Sequence, residues 1–150
     1  ENVFDFVSNV PFVIAGPGID AGTLDAQVRQ VDVLPTLLDA AGVDAETDFD
    51  GETILGDVTD RPAYMRACGA SLHRRRNWAR AVRYEGAKYV EYPDRDWSSE
   101  LYDLEDDPTE LAPIEDPERA ADLRAHIPDG DLDGGEELDV EDRLEQLGYR

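Results

Sequence analysis

The segment "WARAVRYEGAKYVEY", residues 78–92, predicts the centre of the fold. It holds two short, aromatic-rich stretches that are separated by Glu85 and Gly86. Two β-prone stretches joined by a two-residue turn with glycine in second place are typical of a β-hairpin. Because side chains alternate along a strand, each stretch should have one apolar face. The expected members of these faces are Trp78, Val82 and Tyr84 on the first strand, and Val90 and Tyr92 on the second.

Two further stretches extend this hairpin into a sheet. "AYMRACGA" (Ala63–Ala70) precedes it and "SELYDL" (Ser99–Leu104) follows it, and both are short and partly alternating. Four such strands in succession predict a small antiparallel sheet. After the last strand, Asp107 and Pro108 should begin a turn in which Glu110 caps locally.

Helices are predicted on both sides of the sheet. "DVLPTLLDAAG" (Asp32–Gly42) has a capping residue in Asp32, a proline in its first turn and a C-terminal glycine. After the sheet, Asp116 should cap a helix that starts at Pro117 and buries Ala120, Leu123 and Ile127 before Pro128 ends it. A short amphipathic helix is predicted at Asp139–Arg150.

The N-terminal segment "NVPFVIAGPG" (Asn9–Gly18) has a different pattern. Its apolar run, Val10–Ala15, has no polar alternation and ends in a turn. This pattern is typical of a strand buried on both faces, as in a parallel sheet. Such a strand needs neighbours on both sides, so we expect the rest of that sheet to lie outside this sequence. Val28–Val31 allows one more short extended piece.

The composition is strongly acidic. The 150 residues include 14 Lys+Arg and 36 Asp+Glu, for a net charge of −22, and Lys88 is the only lysine. An apolar fraction of 41% and recurrent periodic segments favour a folded protein adapted to high salt. The acidity argues against a nucleic-acid partner, which requires clustered positive charge.

We find no signal peptide and no apolar run long enough to span a membrane, so the compartment stays open, with the cytoplasm favoured.

Several motifs, in their order along the chain, resemble the sulfatase family of the alkaline phosphatase-like superfamily. The family has a strand V-P-(apolar)-G-P-G and then a helix D-(apolar)-x-P-T-(apolar)-L-x-x-x-G, which match Val10–Gly18 and Asp32–Gly42. "ARAVRYEGAKYVEY" is similar to its R-(A/V)-V-R…K-Y hairpin, and "ELYDLEDDPTEL" to its E-L-Y-D-L-x-x-D-P-x-E segment. The ending "DRLEQLGY" resembles the C-terminus of many members, especially those of salt-loving archaea.

This resemblance implies a fold and a domain division. The fold would be the last strand and helix of an alkaline phosphatase-like α/β sheet, followed by a small four-stranded antiparallel sheet with C-terminal helices. Residues 1–45 would form the edge of the catalytic α/β domain, 46–62 a linker, and 63–150 the C-terminal antiparallel-sheet subdomain with its terminal helices.

The resemblance also implies a function, the hydrolysis of sulfate esters. Family members use a formylglycine, made from a C/S-x-P-S/T-R motif, beside a divalent cation that is usually calcium. Cys68 is followed by Gly-Ala-Ser and so does not match the nucleophile motif. The resemblance places the metal ligands upstream of residue 1, so we transfer no catalytic or metal residue of the family to this chain. The segment would supply scaffold and pocket wall, its partners being a missing N-terminal catalytic domain and a small sulfate-ester substrate.

Other functions stay open at this point. The chain could be a non-catalytic binding module or a gene remnant. It could also be the same portion of a related phosphodiesterase or phosphonate monoester hydrolase.

Two local segments are candidate sites. "SLHRRRNW" (Ser71–Trp78) is the only dense basic cluster, and its His73, Arg75 and Asn77 could donate hydrogen bonds to an anionic substrate. The competing interpretation is that its arginines pair with surface carboxylates. "DGDLDG" (Asp129–Gly134) begins like a calcium-binding EF-hand loop, but the twelfth position, where a bidentate Glu is required, is Val140. We therefore predict no calcium site there.

Overall fold

The computed structural model describes residues 3–44, 47–67, 79–93 and 95–128. Its centre is the predicted antiparallel sheet, with four strands in sequential order. The strands are β1 (Ala63–Ala67), β2 (Ala79–Tyr84), β3 (Ala87–Glu91) and β4 (Glu100–Asp103). The helices are α1 (Asp5–Ser8), α2 (Val33–Ala40), preceded by a 3-10 turn (Gln30–Asp32), and α3 (Pro117–Arg124).

The predicted hairpin is confirmed in its turn and its register. Tyr84 on β2 pairs with Ala87 on β3, which leaves two residues in the connection. Glu85 and Gly86 both have positive φ, 46° and 69°. Two consecutive left-handed residues make a type I′ turn, whose twist matches that of the flanking strands. The Gly86 carbonyl also accepts a hydrogen bond from Leu104 N at 2.8 Å, which ties the turn to the end of β4.

The sheet buries an apolar cluster on each face. One face packs against the N-terminal segment, and its buried members are Val3, Ala79, Ala81, Val90, Tyr102 and Leu104. The other packs against α3 and the residues that follow it, and its buried members are Val82, Ala87, Tyr89, Leu101, Leu123 and Ile127. Tyr84 packs on the same side as Val82, and Tyr92 on the same side as Val90, as their alternation predicts.

The helix after the sheet starts as its sequence predicts, but it ends at Arg124 and not at Pro128. The Asp116 side chain accepts a hydrogen bond from Arg119 N at 3.0 Å, and Pro117 occupies the first turn. This is the usual way in which an aspartate satisfies an amide at a helix N-terminus. Leu123 on α3 and Ile127 in the turn that follows it are both buried against the sheet.

The apolar run Val10–Ala15 is not a strand in the described part of the chain, contrary to its sequence pattern. No helix or strand is assigned there, and Val10 and Val13 are 69% and 89% exposed. A strand needs a hydrogen-bonded neighbour, and no described strand lies beside this run. The turn after it does form: Ile19 N donates to Gly16 O at 3.2 Å, and Gly18 has a φ of 78°. The extended piece allowed at Val28–Val31 is also absent, because the 3-10 turn begins at Gln30.

The predicted helix at Asp32–Gly42 forms over Val33–Ala40, but Asp32 does not cap it by a side-chain hydrogen bond. The chain enters α2 through the 3-10 turn, and the Asp32 carboxylate accepts the hydrogen bond of Arg29 N instead. At the other end, Gly42 adopts a φ of 65°, the left-handed conformation expected just past a helix.

Two predicted segments, the acidic loop Asp129–Gly134 and the helix Asp139–Arg150, lie outside the described residues. Within the residues that are described, no helix is long and apolar enough to cross a bilayer.

Candidate functional site

The predicted substrate-binding residues His73, Arg75 and Asn77 lie outside the described part of the chain, as does Cys68, so their role stays a prediction. The structure does define the ends of the connection that carries them. Ala67, at the end of β1, is the register partner of Ala79, at the start of β2. The connection therefore leaves and re-enters the sheet at one end.

Lys88 is a buried lysine in the middle of the sheet, and its ammonium group has three polar partners. It lies on β3 between its register partners Arg83 on β2 and Tyr102 on β4, and it has no exposed surface. Its Nζ donates to Val3 O at 3.0 Å and to the Asp5 carboxylate. A lysine without access to water requires such partners, since an unpaired buried charge is very costly.

Glu110 is the second carboxylate at Lys88. Its Oε1 lies 2.7 Å from Lys88 Nζ, and its Oε2 accepts a hydrogen bond from Asp5 N at 2.5 Å. The prediction that Glu110 caps its own turn is therefore wrong, because its side chain reaches across to α1. Its backbone has a φ of 55°, a left-handed conformation that is uncommon for a residue with a side chain.

The local capping role belongs instead to Asp107. Its Oδ2 accepts hydrogen bonds from Leu111 N at 2.7 Å and from Ala112 N at 2.8 Å. The hydrogen bond from Ala112 N is the largest influence on the carboxyl and, with its other donors, holds the pKa of Asp107 below its ordinary value. Asp107 thus shapes the turn and leaves Glu110 free to bind Lys88.

Arg83 extends this group of polar residues across the sheet. Its Nε donates to Asp5 Oδ2 at 3.2 Å, and its guanidinium also donates to Gln27 Oε1. The Gln27 amide in turn donates to the carbonyls of Arg61 and Arg83, at 2.7 and 2.9 Å. We refer to Val3, Asp5, Gln27, Arg83, Lys88 and Glu110 as the Lys88 cluster. It joins the N-terminal turn and the segment before α2 to the middle of the sheet.

An open cleft of about 520 Å³ lies beside the Lys88 cluster. Its lining residues are Asp5, Phe6, Asn9, Arg83, Leu104, Pro108, Thr109 and Glu110. The charged side chains in this lining already pair with one another or with Lys88. The cleft therefore offers no charged side chain, among the described residues, that lacks an ion-pair partner.

A second buried carboxylate, Asp32, joins the chain on both sides of α2. Arg29 Nη2 lies 2.8 Å from its Oδ1, and Glu52 N donates to the same oxygen at 3.0 Å. Burial by itself would raise the pKa of Asp32, but the hydrogen bonds from Arg29 and from Glu52 N together lower it below its ordinary value. The ionised Asp32 carboxylate therefore has a structural role, since Arg29 and Glu52 N both donate hydrogen bonds to it.

The described residues do not fit a metal ion. Among them, no group of three or more His, Cys, Asp or Glu side chains is placed to hold one. Calcium prefers six or more oxygen ligands, and the carboxylates of the Lys88 cluster are occupied by cationic side chains.

Most of this chain matches the model of a known protein family. Residues 2–130 match the family model described as N-sulphoglucosamine sulphohydrolase, C-terminal. The chain belongs to this sulfatase C-terminal family.

Two relatives of this chain are also named as sulfatases. The chain is 31% identical over 134 residues to a delta 4,5-hexuronate-2-O-sulfatase of Bacteroides thetaiotaomicron, covering 82% of this chain and 28% of that protein. It is 34% identical over 117 residues to a choline-sulfatase of Rhizobium meliloti, covering 73% of this chain and 22% of that protein. The sulfatase-family prediction is confirmed, and the chain spans less than a third of the length of these relatives.

The fold is also shared with a solved structure. A protein determined in complex with its substrate, D-glucosamine-2-N,6-O-disulfate, superimposes with a TM-score of 0.53 at 19% identity. The match covers 78% of this chain and 24% of that chain. The predicted sulfatase-type architecture, with its four-stranded antiparallel sheet, is thus confirmed.

Sequence reasoning missed the Lys88 cluster. One signal could have found it: the single lysine of a very acidic chain lies inside a predicted strand, between Ala87 and Tyr89. A lone lysine on the buried part of a sheet must be paired. The identity of its partners depends on long-range contacts, with Asp5 and Glu110 lying on opposite sides of it in the sequence.

Proposed function

We propose that this chain is the C-terminal part of a sulfatase-like hydrolase that cleaves sulfate esters. It supplies scaffold and a wall of the substrate pocket, while the catalytic residues belong to an N-terminal catalytic domain. The observation that carries this proposal is the continuous family match over residues 2–130. That range includes both the N-terminal turn and the sheet that the Lys88 cluster joins.

The chemistry of such an enzyme comes from outside the described residues. A formylglycine hydrate would attack the sulfate ester beside a divalent cation. We propose calcium, because it is the usual cation of the family. We assign both the nucleophile and the metal ligands to the N-terminal domain, where the sulfatase family carries them. The substrate is a small sulfate ester, in keeping with the names of the two relatives.

The proposed division of the chain follows from this role. Residues 1–45 belong to the edge of the catalytic α/β domain, 46–62 form a linker, and 63–150 form the C-terminal subdomain. His73, Arg75 and Asn77 are proposed to donate hydrogen bonds to the substrate from the connection between β1 and β2. Arginine and amide donors suit the oxygens of a sulfate group.

We further propose that the protein is adapted to high salt and is of the haloarchaeal type. The net charge of −22 and the single lysine support this proposal. At high ionic strength, screening shortens the repulsion between surface carboxylates to a few Å, so that such a charge no longer opposes folding.

The direct test is substrate preference in the complete enzyme that carries this chain. Initial rates with 4-nitrophenyl sulfate and 4-nitrophenyl phosphate should be compared, with calcium and after chelation. We expect faster turnover of the sulfate ester and loss of that activity on chelation. Preferred turnover of the phosphate ester would contradict the assignment, and activity that survives full chelation would contradict the proposed cation.

A further inference from the structure

The Lys88 cluster has a feature that the proposed scaffold role does not require. Its three charged side chains at the centre, Asp5, Lys88 and Glu110, are almost entirely withdrawn from water, with side-chain exposures of 12%, 0% and 1%. Replacing a buried ion pair by apolar side chains of similar size is often neutral or stabilising. A buried ionic group is therefore weak evidence for stability, and its best-attested use is to fix the register between segments of chain.

The contacts of Lys88, Glu110 and the Arg83 Nε converge on the N-terminal segment at Val3 and Asp5. Lys88 binds the Val3 carbonyl and the Asp5 carboxylate, while Glu110 accepts the hydrogen bond of Asp5 N. Both the backbone and the side chain of Asp5 are thus held. Arg83 binds the other oxygen of the Asp5 carboxylate, so that the α1 turn is tied to β2 as well as to β3.

The two sides of the cluster come from distant parts of the sequence. Asp5 is separated from Lys88 by 83 positions and from Glu110 by 105. Glu110 also holds a left-handed backbone conformation while its side chain makes these contacts. The cluster therefore acts mainly to fix the N-terminal segment relative to the sheet. It contributes less to the internal structure of either part.

We propose that Lys88 is a positioning residue of the sulfatase. With Glu110 it locks the segment Val3–Ser8, and the polypeptide that leads into it, against the antiparallel sheet. It thereby sets the position of the C-terminal subdomain relative to the catalytic groups. The catalytic consequence rests on the proposed function, whereas the anchoring of α1 does not.

The test uses the complete enzyme and a gentle variant, Asp5→Asn, which keeps the shape of the side chain and leaves Lys88 paired with Glu110. Lys88→Met is the harsher companion, since it leaves the buried Glu110 without its cation and leaves Asp5 paired with Arg83 alone. Arg119→Gln is the matched control, because it removes the more exposed ion pair with Asp103 on the α3 side of the sheet. Amide hydrogen exchange of residues 3–8, kcat and KM for 4-nitrophenyl sulfate are measured for each protein that folds.

We expect Asp5→Asn to speed exchange in residues 3–8 and to lower kcat by about 10-fold, with KM changed by less than about 2-fold. Displacement of a catalytic arrangement by an ångström can cost that much or more in rate. Arg119→Gln should change none of these quantities. Unchanged exchange in Asp5→Asn would overturn the anchoring, and an unchanged kcat, or a loss confined to KM, would overturn the positioning role.

Failure of the proposed function would be recognisable separately. If the wild-type enzyme does not hydrolyse sulfate esters, the function fails on that result alone. The exchange rates of residues 3–8 still decide whether the cluster anchors α1.

Discussion

Arg29 holds the carboxylate of Asp32 inside the protein from two directions. Its guanidinium lies 2.8 Å from Asp32 Oδ1, and its own backbone N–H donates to Asp32 Oδ2, also at 2.8 Å. Glu52 N completes the arrangement from the loop after α2. One buried anion thus joins the 3-10 turn, the start of α2 and the loop around residue 51.

Asp32→Asn should therefore make stability less dependent on pH at the acid end. The pKa of Asp32 is lowered in the folded protein, so its ionised form stabilises the fold. That contribution is complete above the ordinary value of 3.8 and is lost as pH falls through the lowered folded value. At pH 7 we expect the variant to lose about 2 kcal/mol, typical of hydrogen bonds to a charged group.

Urea denaturation at pH 7 and at pH 3 measures this effect. The difference in unfolding free energy between the wild type and Asp32→Asn should narrow at the lower pH. Asp39→Asn, an exposed aspartate on the same helix, is the control and should show a difference below about 0.5 kcal/mol at both values. An equal difference at the two pH values would show that the charge of Asp32 is not what stabilises this region.

Gly51→Ala should disrupt the same region for a steric reason. A Cβ at Gly51 would lie 2.0 Å from Val31 O and 2.7 Å from Asp32 N, and backbone atoms cannot move aside cheaply. We expect a loss of about 3 kcal/mol or more, at the upper end of single substitutions. Gly22→Ala is the control, since nothing lies within 4 Å of its Cβ. Equal urea midpoints for the two variants would mean that the loop does not approach Val31 so closely.

Leu123→Ala tests the packing of α3 on the sheet. Leu123 is 4% exposed, and its removal should cost about 2–5 kcal/mol through lost burial and a residual cavity. Leu111→Ala, at a position 82% exposed, should cost less than about 0.5 kcal/mol. Chemical denaturation monitored by circular dichroism measures both. If Leu123→Ala proved as stable as Leu111→Ala, α3 would not be packed against the sheet as part of the core.

Potassium chloride should stabilise the protein through charge screening. With a net charge of −22, raising the salt from 0.1 to 1 M shortens the screening length from about 10 Å to about 3 Å. We expect the thermal midpoint to rise with salt. Sucrose strengthens burial without screening and is therefore the control. A midpoint that rises with sucrose but not with potassium chloride would contradict the proposed adaptation to high salt.

Local patterns were sufficient to predict most of the sheet and the start of α3. The β2–β3 hairpin follows from two adjacent turn residues, and α3 follows from the capping Asp116 beside Pro117. These elements depend on residues close together in the sequence, and their packing on the two faces follows from strand alternation.

The Lys88 cluster and the conformation of Val10–Ala15 could not be predicted in this way. Lys88 contacts Asp5 and Glu110 only in the folded protein. No rule based on sequence spacing predicts that these three residues meet. The apolar run has the composition of a buried strand, but pairing is decided by the neighbours that a strand meets, and the described residues provide none.

The central claim is that this chain supplies scaffold to a sulfatase and not its catalytic groups. The most direct test measures turnover of 4-nitrophenyl sulfate, with calcium in molar potassium chloride, by the 150-residue chain alone and by the complete enzyme that carries it. We predict turnover by the complete enzyme and none by the chain alone. Turnover by the isolated chain at the rate of the complete enzyme would contradict the account, because it would place the catalytic groups within these residues.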